Sequence, residues 1–309
     1  MNKVTVIITS YERPENLTDK VLERAIISVI NQTFTDIELL IVIDGFSRHL
    51  NSAINDISKK YNFPIKVLSS GEKVGAASTR NIGIDNSKGE FIAFLDDDDE
   101  WKSDKIYKQL LYYTNCDVPG ILFSNAQIEN ENITIRKYRG ERIASYLFVP
   151  NKRKQIGFVQ TSTLFFSKEI TKKVKFTENL ERHQDWDFVI KADALGIRFY
   201  QMEDILIIYH NDLPVSGRLG LGKNGVGFQF SEQWLSDREA MLNREEQISF
   251  QKYIILPQVI RSSEYLLIDK INKIHRVLNK EPFNVQKIKL YLKYLFQSII
   301  IEVKKNVGY

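Results

Sequence analysis

The chain has little cysteine, little net charge and no long apolar run. Among its 309 residues Cys116 is the single cysteine, which excludes an internal disulfide framework and fits a reducing compartment. The net charge of +4 is too small to predict a nucleic-acid partner. No apolar stretch reaches the length of a membrane span, and the N-terminus turns polar too early for a signal peptide. We therefore expect a cytoplasmic protein.

What the chain does contain is typical of a globular domain. Hydrophobic residues make up 43% and charged residues 27% of the sequence. Its length suits one large domain, or one domain with an appendage. Apolar, β-branched runs alternate with amphipathic stretches over the first hundred residues, which predicts a mostly parallel, doubly wound α/β sheet. The predicted strands are 4–9, 37–43, 65–68 and 91–95, and the predicted helices are 15–31, 51–61 and one that begins at 75.

The pattern changes after a helix predicted at 104–114. Short strands are predicted at 120–125, 133–136, 158–166, 197–201 and 205–210, with a helix at 185–195. Residues 211–227 are polar and rich in glycine, which indicates a flexible loop that serves either as a lid or as a disordered connector. From residue 230 onward the sequence is predicted to be helical to its end.

Four consecutive aspartates, Asp96, Asp97, Asp98 and Asp99, follow the apolar strand 91–95 directly. Clustered charge at the end of a buried strand is unfavourable unless a positive group neutralises it. Carboxylate oxygens suit Mg²⁺ or Mn²⁺, which commonly bridge to substrate phosphates. The alternative is a solvated acidic turn before a helix.

Other polar residues follow the neighbouring strands. Tyr11 and Glu12 come after the first strand, Asp44 comes after the second, and Arg80 lies just upstream of the acidic strand. The loops after successive strands of a doubly wound sheet converge at one edge, so these groups should meet in one crevice. Together they would form a nucleotide-diphosphate site. The aromatic ring would stack on the base, the carboxylate would accept from the base N–H groups, and the guanidinium and a metal ion would bind the phosphates.

At this point the chain resembles the family 2 glycosyltransferases, which have a GT-A fold. The stretches that carry the resemblance are 6–13 (Val-Ile-Ile-Thr-Ser-Tyr-Glu-Arg), 28–39, 80–84 and 88–101 (Lys-Gly-Glu-Phe-Ile-Ala-Phe-Leu-Asp-Asp-Asp-Asp-Glu-Trp). They occur in order and with family-like spacing over about the first 115 residues. Residues 178–180 and 184–188 resemble the family's acceptor-side acidic motif more weakly.

The resemblance implies an inverting transfer of a sugar from a nucleotide-sugar donor to an acceptor hydroxyl, with Mn²⁺ or Mg²⁺ as cofactor. The implied nucleotide-sugar contacts are Thr9, Tyr11, Glu12, Asp44, Arg80, Asp96 and Asp97. Asp98 and Asp96 are the implied metal ligands, and His210 is predicted as a third ligand, unless it is structural. Asp185 matches the position of the catalytic base, and Asp187 is the alternative.

Two departures from the family pattern are visible. Ile43 stands where the first of two paired aspartates is usual, and Gln184 replaces the glutamate that usually precedes Asp185. The Gln-X-X-Arg-Trp signature of processive members is absent, which favours the addition of one sugar per acceptor. The resemblance implies a domain at 1–228, with a nucleotide-sugar-binding half at 1–115 and an acceptor half with the flexible loop at 116–228, followed by a helical region at 229–309.

The expected donor is a UDP-sugar, and the expected acceptor is a saccharide or a lipid-linked oligosaccharide of surface polysaccharide synthesis, such as O-antigen or capsule. The basic, aromatic C-terminal helices either contact the inner face of the plasma membrane, form a solvated helical cap or form a homodimer interface. Two other functions remain open: a nucleotidyltransferase, which is disfavoured because no basic glycine-rich loop follows the first strand, and a catalytically inactive nucleotide-sugar-binding protein.

Overall fold

The computed structural model describes residues 3–14, 17–129, 135–153, 155, 157–210, 227–262, 265–280 and 285–307. The chain divides into two compact units. The first comprises Met1–Leu147 and Lys152–Arg218, and the second comprises Phe148–Asn151 and Leu219–Tyr309. The predicted boundary at residue 228 remains a prediction.

Strands and helices alternate in the first unit as the sequence predicts. The strands are β1 Val4–Ser10, β2 Ile37–Ile43, β3 Ile65–Ser69, β4 Phe91–Asp96, β5 Glu100–Trp101, β6 Gly120–Ile128, β7 Phe165–Ser167 and β8 Arg198–Tyr209. The helices are α1 Leu17–Ile30, α2 Arg48–Tyr61, α3 Gly75–Asn86, α4 Lys105–Thr114, α5 Ile143–Phe148, whose last residue belongs to the second unit, and α6 Gln184–Ala194.

In the described residues these strands form one mixed sheet in the order β3-β2-β1-β4-β7-β6-β8-β5. The strands from β3 to β4 are parallel, β7 is antiparallel to both of its neighbours, and β8 runs parallel to β6 and antiparallel to β5. The strands of the parallel half are apolar and largely buried, and they pack against the inner faces of α1 and α2. The predicted doubly wound α/β sheet with flanking helices is confirmed.

The register of the parallel half places the polar strand ends side by side. Thr9 pairs with Val42 on one side and with Asp96 on the other, and Ser10 pairs with Ile43. The residues that follow β1, β2 and β4 therefore leave the sheet at the same edge, where open α/β sheets bind ligands.

Three predictions for the second half of this unit are wrong in detail. A strand is predicted at 158–166, but the chain forms a 3₁₀ turn at Thr161–Thr163 and only then the short β7. The polar sequence Gln-Thr-Ser-Thr at 160–163 caps itself there instead of pairing in the sheet. The strands predicted at 197–201 and 205–210 are one strand, β8, whose register against β6 shifts at an irregularity.

The third concerns the strand predicted at 133–136. Residues 135 and 136 are not in a strand, and 133–134 lie outside the described residues. The loop predicted at 211–227 also lies outside them, except Gly227, which begins a helix.

The second unit is helical in most of its described residues after 227, as predicted from residue 230. It contains α7 Gly227–Asp237, α8 Arg244–Phe250, a π-helical turn at Gln251–Ile255, α9 Leu256–Arg261, α10 Leu267–Leu278 and α11 Val285–Val307. Buried residues of α9, α10 and α11 pack together in a core of their own. No helix in the described parts of the chain has the length and apolar character needed to cross a bilayer.

Candidate active site

A buried ion pair joins the end of β1 to the acidic turn that follows β4. Both terminal guanidinium nitrogens of Arg13 donate to Asp97, at 2.7 and 2.6 Å, and the Ser10 hydroxyl donates to the same carboxylate at 2.6 Å. Although burial opposes it, the hydrogen bond and charge of Asp97 raise the pKa of Arg13. Breaking such a pair would leave an uncompensated buried charge, so Asp97 is firmly held.

Two other aspartates of the acidic turn, Asp98 and Asp99, lie in surroundings that disfavour their charged forms. Asp99 is fully buried, and its Oδ1 has no partner. Burial and the charges of Asp97 and Asp96 raise the pKa of Asp98 to about 7. Burial and the charges of Asp98 and Asp96 likewise raise the pKa of Asp99 well above its usual range. A positive charge placed beside these two groups would favour their ionised forms.

Arg80 of α3 connects the acidic turn to the start of α6. Its guanidinium donates to Asp96 Oδ1 at 2.7 Å and to Gln184 Oε1 at 2.6 Å. Burial opposes the charge on Arg80, but the charges of Asp96 and Asp185 prevail and raise its pKa. The departure at Gln184 has a structural explanation, because its amide oxygen is sufficient to accept the hydrogen bond from Arg80.

Asp185 lies in the first turn of α6, as predicted, and is half-buried. Burial raises its pKa to about 6; the charge of Arg80 opposes this shift and that of Asp96 adds to it. The Thr161 hydroxyl donates a hydrogen bond to Asp185 Oδ1. A carboxylate with a pKa near neutral and a fixed orientation has the properties of a general base.

Asp187, the alternative base, is fully buried within the first unit. The Thr177 hydroxyl donates to its Oδ2 at 2.6 Å, and Lys191 lies 3.9 Å from the same atom. Because the carboxylate has no access to solvent, the structure supports a structural role for Asp187.

The predicted nucleotide contacts lie at the carboxyl edge of the sheet. Asp44 accepts hydrogen bonds from the backbone N–H groups of Val74 (2.7 Å) and Gly75 (3.1 Å), so it caps the N-terminus of α3. The Arg13 guanidinium lies 4.2 Å from the centroid of the Tyr11 ring. Thr9 is partly buried beside Asp96, and Glu12 is exposed.

His210 follows β8 and is held by two carboxylates. Its Nδ1 lies 3.0 Å from Glu129 and its Nε2 lies 2.9 Å from Glu100. To ligate a metal ion, the imidazole would have to leave one of these partners. The assignment of His210 as a third ligand therefore remains a prediction.

Sequence reasoning misses four residues of this site. The sequence analysis includes Arg13 only within a family-like stretch and gives it no role. It places Gln160, Thr161 and Ser162 in a predicted strand. Gln160 Nε2 donates to Asp96 at 2.9 Å and to Asp99 at 2.8 Å, and the Ser162 hydroxyl donates to Asp99 at 2.6 Å. The available signal is the run of four polar residues inside an otherwise apolar segment.

Comparison with known proteins agrees with this geometry. The family model described as glycosyl transferase family 2 matches residues 5–175, which is more than half of the chain. The chain belongs to glycosyl transferase family 2. It is therefore a glycosyltransferase, an enzyme that transfers a sugar.

Two relatives of this glycosyltransferase are similar over most of its length. The amylovoran biosynthesis glycosyltransferase AmsB of Erwinia amylovora is 30% identical over 233 residues, covering 72% of this chain and 74% of AmsB. The GalNAc(5)-diNAcBac-PP-undecaprenol beta-1,3-glucosyltransferase of Campylobacter jejuni is 29% identical over 232 residues, covering 72% of this chain and 70% of that protein.

Solved structures show the same fold at low sequence identity. S. aureus TarS 1-349 in complex with UDP-GlcNAc matches with a TM-score of 0.59 and 15% identity, covering 99% of this chain and 92% of that one. The chain spans 50% of the longer TarS structure. The mannosyltransferase PcManGT of Pyrobaculum calidifontis, in complex with GDP-Man and Mn²⁺, matches with a TM-score of 0.58 and 10% identity. The match covers 96% of this chain and 86% of that one. The predicted GT-A fold is thus confirmed.

The residues of the acidic turn fit the divalent cation that this fold implies. Within the described ranges, no three His, Cys, Asp or Glu side chains converge on a point where a metal ion would be held by protein alone. Mg²⁺ is, however, usually held by one or two carboxylates and by substrate phosphates. No side chain of the described residues donates to the Asp98 carboxylate, so this group is available as such a ligand.

Proposed function

We propose that this protein is an inverting, metal-dependent glycosyltransferase that moves one sugar from a UDP-sugar to an acceptor hydroxyl. The observation that carries the proposal is the connection through Arg80. This residue binds Asp96 of the acidic turn and Gln184, the neighbour of Asp185, and so it joins a cation-binding turn to a carboxylate with a raised pKa. In this proposal the turn helps a diphosphate to leave and the carboxylate takes the proton of the attacking hydroxyl.

The donor is proposed to bind at the carboxyl edge of β1, β2 and β4. Tyr11 offers a ring face to the base, Thr9 and Glu12 line the same edge, and Asp44 accepts from a base N–H while it caps α3. Asp97 supports this site through its ion pair with Arg13, because both of its oxygens are already bound. Arg80 contributes a fixed positive charge near the diphosphate.

The cation is proposed to bind Asp98 and Asp96. Bound there, Mn²⁺ or Mg²⁺ would offset the negative charge that develops on the departing nucleoside diphosphate. The Mn²⁺ of the PcManGT complex supports this choice by analogy of fold. Asp98 is the main ligand in this proposal, since Arg80 and Gln160 already bind Asp96.

The base is proposed to be Asp185. Its carboxylate would take the proton of the acceptor hydroxyl as that oxygen attacks the anomeric carbon from the face opposite the diphosphate. Burial of the carboxylate and the opposing Arg80 charge hold its pKa close to neutral, so it is ionised at physiological pH and still basic enough to accept the proton.

The acceptor is proposed to be a lipid-linked oligosaccharide of surface polysaccharide synthesis, such as O-antigen or capsule. The names of two relatives support this choice, because one acts in amylovoran biosynthesis and the other on an undecaprenol-linked glycan. The UDP donor is supported by the complex of TarS with UDP-GlcNAc.

A membrane contact through α11 would suit such an acceptor. One face of this helix exposes a continuous apolar stripe at four-residue and three-residue spacings, made of Ile288, Leu292, Phe296, Ile299 and Ile300. The opposite face is buried in the second unit, where Tyr294 and Ser298 lie. Exposed Lys289 and Lys293 border the stripe, so an anionic lipid surface would complement both its apolar and its charged groups. We therefore propose that the enzyme binds to the inner face of the plasma membrane.

Removal of the stripe should weaken vesicle binding. We expect the double variant Leu292→Ser/Phe296→Ser to lose about tenfold or more of its partition onto vesicles that contain phosphatidylglycerol, because each apolar side chain withdrawn from a membrane interface removes about 1 kcal/mol or more. Co-sedimentation measures the partition. The matched control is Tyr107→Ser/Leu111→Ser, which removes two exposed apolar residues with the same spacing on α4.

The same experiment separates the membrane from a second copy of this chain. If the wild type is dimeric by light scattering and the Leu292→Ser/Phe296→Ser variant is monomeric, with equal vesicle binding for both, the stripe is a homodimer interface and the membrane proposal is wrong.

The proposed function is tested with a panel of UDP- and GDP-sugars, Mn²⁺ and an undecaprenyl-diphosphate-linked sugar as acceptor. We expect one donor to release nucleoside diphosphate and to lengthen the acceptor by a single sugar, with inverted configuration by NMR. Release of pyrophosphate would instead indicate a nucleotidyltransferase. Donor binding without turnover on any acceptor would indicate an inactive binding protein.

A further inference from the structure

The 3₁₀ turn at Thr161–Thr163, with its cap Gln160, contacts both sides of the proposed active site. On the donor side, Gln160 and Ser162 bind Asp96 and Asp99. On the acceptor side, the Thr161 hydroxyl donates to Asp185. These contacts bring together residues that are more than sixty positions apart in the chain on the donor side and 24 apart on the acceptor side.

The turn itself is held in place by burial and by hydrogen bonds. Thr161, Ser162 and Thr163 are fully buried, and the Gln160 side chain closes a capping box around them. Trp101 Nε1 donates to the Ser162 carbonyl at 3.1 Å, and Gln109 Nε2 donates to the Thr163 carbonyl at 3.0 Å. A side chain mounted on this turn therefore has a fixed position relative to the acidic turn.

Among the described residues, Thr161 is the one whose side chain donates to Asp185. Arg80 influences this carboxylate by its charge, but its hydrogen bonds go to Asp96 and Gln184. Without the Thr161 hydroxyl, the carboxylate would lose the side-chain hydrogen bond that fixes its orientation, while the charge of Arg80 would still attract it.

We propose that Thr161 is a positioning residue that holds Asp185 in the orientation needed to take the acceptor proton. The inference rests on the proposed function, in which Asp185 is the base. Thr161 lies outside the four stretches that carry the resemblance in the sequence. The turn that contains it would hold the base at a fixed distance from the proposed metal-binding carboxylates.

The test is the nearly isosteric change Thr161→Val, which removes the hydroxyl and keeps the volume. We expect kcat to fall about tenfold or more, with the KM for the donor within about twofold of the wild type, because the proposed donor site does not include Thr161. The loss of a hydrogen bond to the ionised carboxylate should also move the acidic limb of the kcat/KM profile up by about one pH unit. Thr161→Ser keeps the hydroxyl, so its kcat and the position of its acidic limb should stay close to those of the wild type.

Thr177→Val is the matched control, since it removes the same kind of hydrogen bond from the structural Asp187. It should lower the melting temperature and leave the acidic limb in place. If Thr161→Val does not fold, as judged by a cooperative melt and by binding of UDP, Thr161→Ala carries the same prediction.

A folded Thr161→Val or Thr161→Ala protein with wild-type kcat and an unmoved acidic limb overturns the inference. If Asp185→Asn retains wild-type turnover, it is the proposed base assignment that fails. The two failures are therefore distinguishable.

Discussion

The change Asp185→Asn should reduce kcat by about 10²- to 10⁴-fold, which is the usual contribution of a positioned general base. An amide at this position cannot accept the proton of the attacking hydroxyl, but it has the same size and can still accept the hydrogen bond from Thr161. Donor binding should therefore be kept, and titration calorimetry with UDP in the presence of Mn²⁺ should give an affinity close to that of the wild type.

The pH dependence of the wild type offers a second measurement on the same residue. Burial raises the pKa of Asp185 to about 6, and the base acts only when it is ionised. At a saturating concentration of Mn²⁺, which keeps Asp98 ionised, we therefore expect kcat/KM to be constant above that pH and to fall as the pH drops through about 6. The Asp185→Asn variant should lack this limb.

Asp187→Asn is the control for which of the two aspartates in the first turn of α6 is the base. It removes the buried negative charge that lies beside Thr177 and Lys191 in the first unit, so it should reduce stability and leave the acidic limb unchanged. If Asp187→Asn abolished turnover in a folded protein and Asp185→Asn did not, Asp187 would be the base.

The second large effect is expected at Asp98. We expect Asp98→Asn to lower kcat by about 10²- to 10³-fold, the range seen when one group that stabilises developing charge is removed from a preorganised site. It should also raise the concentration of Mn²⁺ needed for half-maximal nucleoside diphosphate release. The measurement is a metal titration, together with electron paramagnetic resonance of bound Mn²⁺ in the presence of UDP.

Asp104→Asn provides the control for the removal of a carboxylate. Asp104 lies near the start of α4 and forms an exposed ion pair with Lys108, so its loss should change neither the metal requirement nor kcat. Equal Mn²⁺ binding by Asp98→Asn and the wild type would exclude Asp98 as a metal ligand.

Most of the parallel half of the sheet could be predicted because its signals are local. Apolar runs and turn residues alone correctly place the strand at Ile37–Ile43 and the start of α3 at Gly75. The convergence of Thr9 and Asp96 follows from the parallel order of the strands, and the register confirms it. The antiparallel half was less predictable, because short strands such as β7 depend on their neighbours more than on their own residues.

The contacts within the site could not be predicted in the same way. The Arg13–Asp97 pair joins residues 84 positions apart, and the Arg80–Gln184 hydrogen bond spans 104 positions. Each of these polar side chains would be equally well satisfied by water in an unfolded chain. Only burial at one place obliges them to find each other.

The sequence by itself determined that this protein is an α/β glycosyltransferase with a cluster of aspartates at the edge of its sheet. Apolar periodicity and the family motifs each depend on residues that are close together in the chain, so they can be recognised without the structure. Only the tertiary structure decided which aspartates are available. It pairs Asp97 with Arg13, buries Asp187 and leaves Asp98 without a side-chain donor among the described residues. The physical reason is that a carboxylate's partners and its access to solvent depend on groups brought to it from distant parts of the chain.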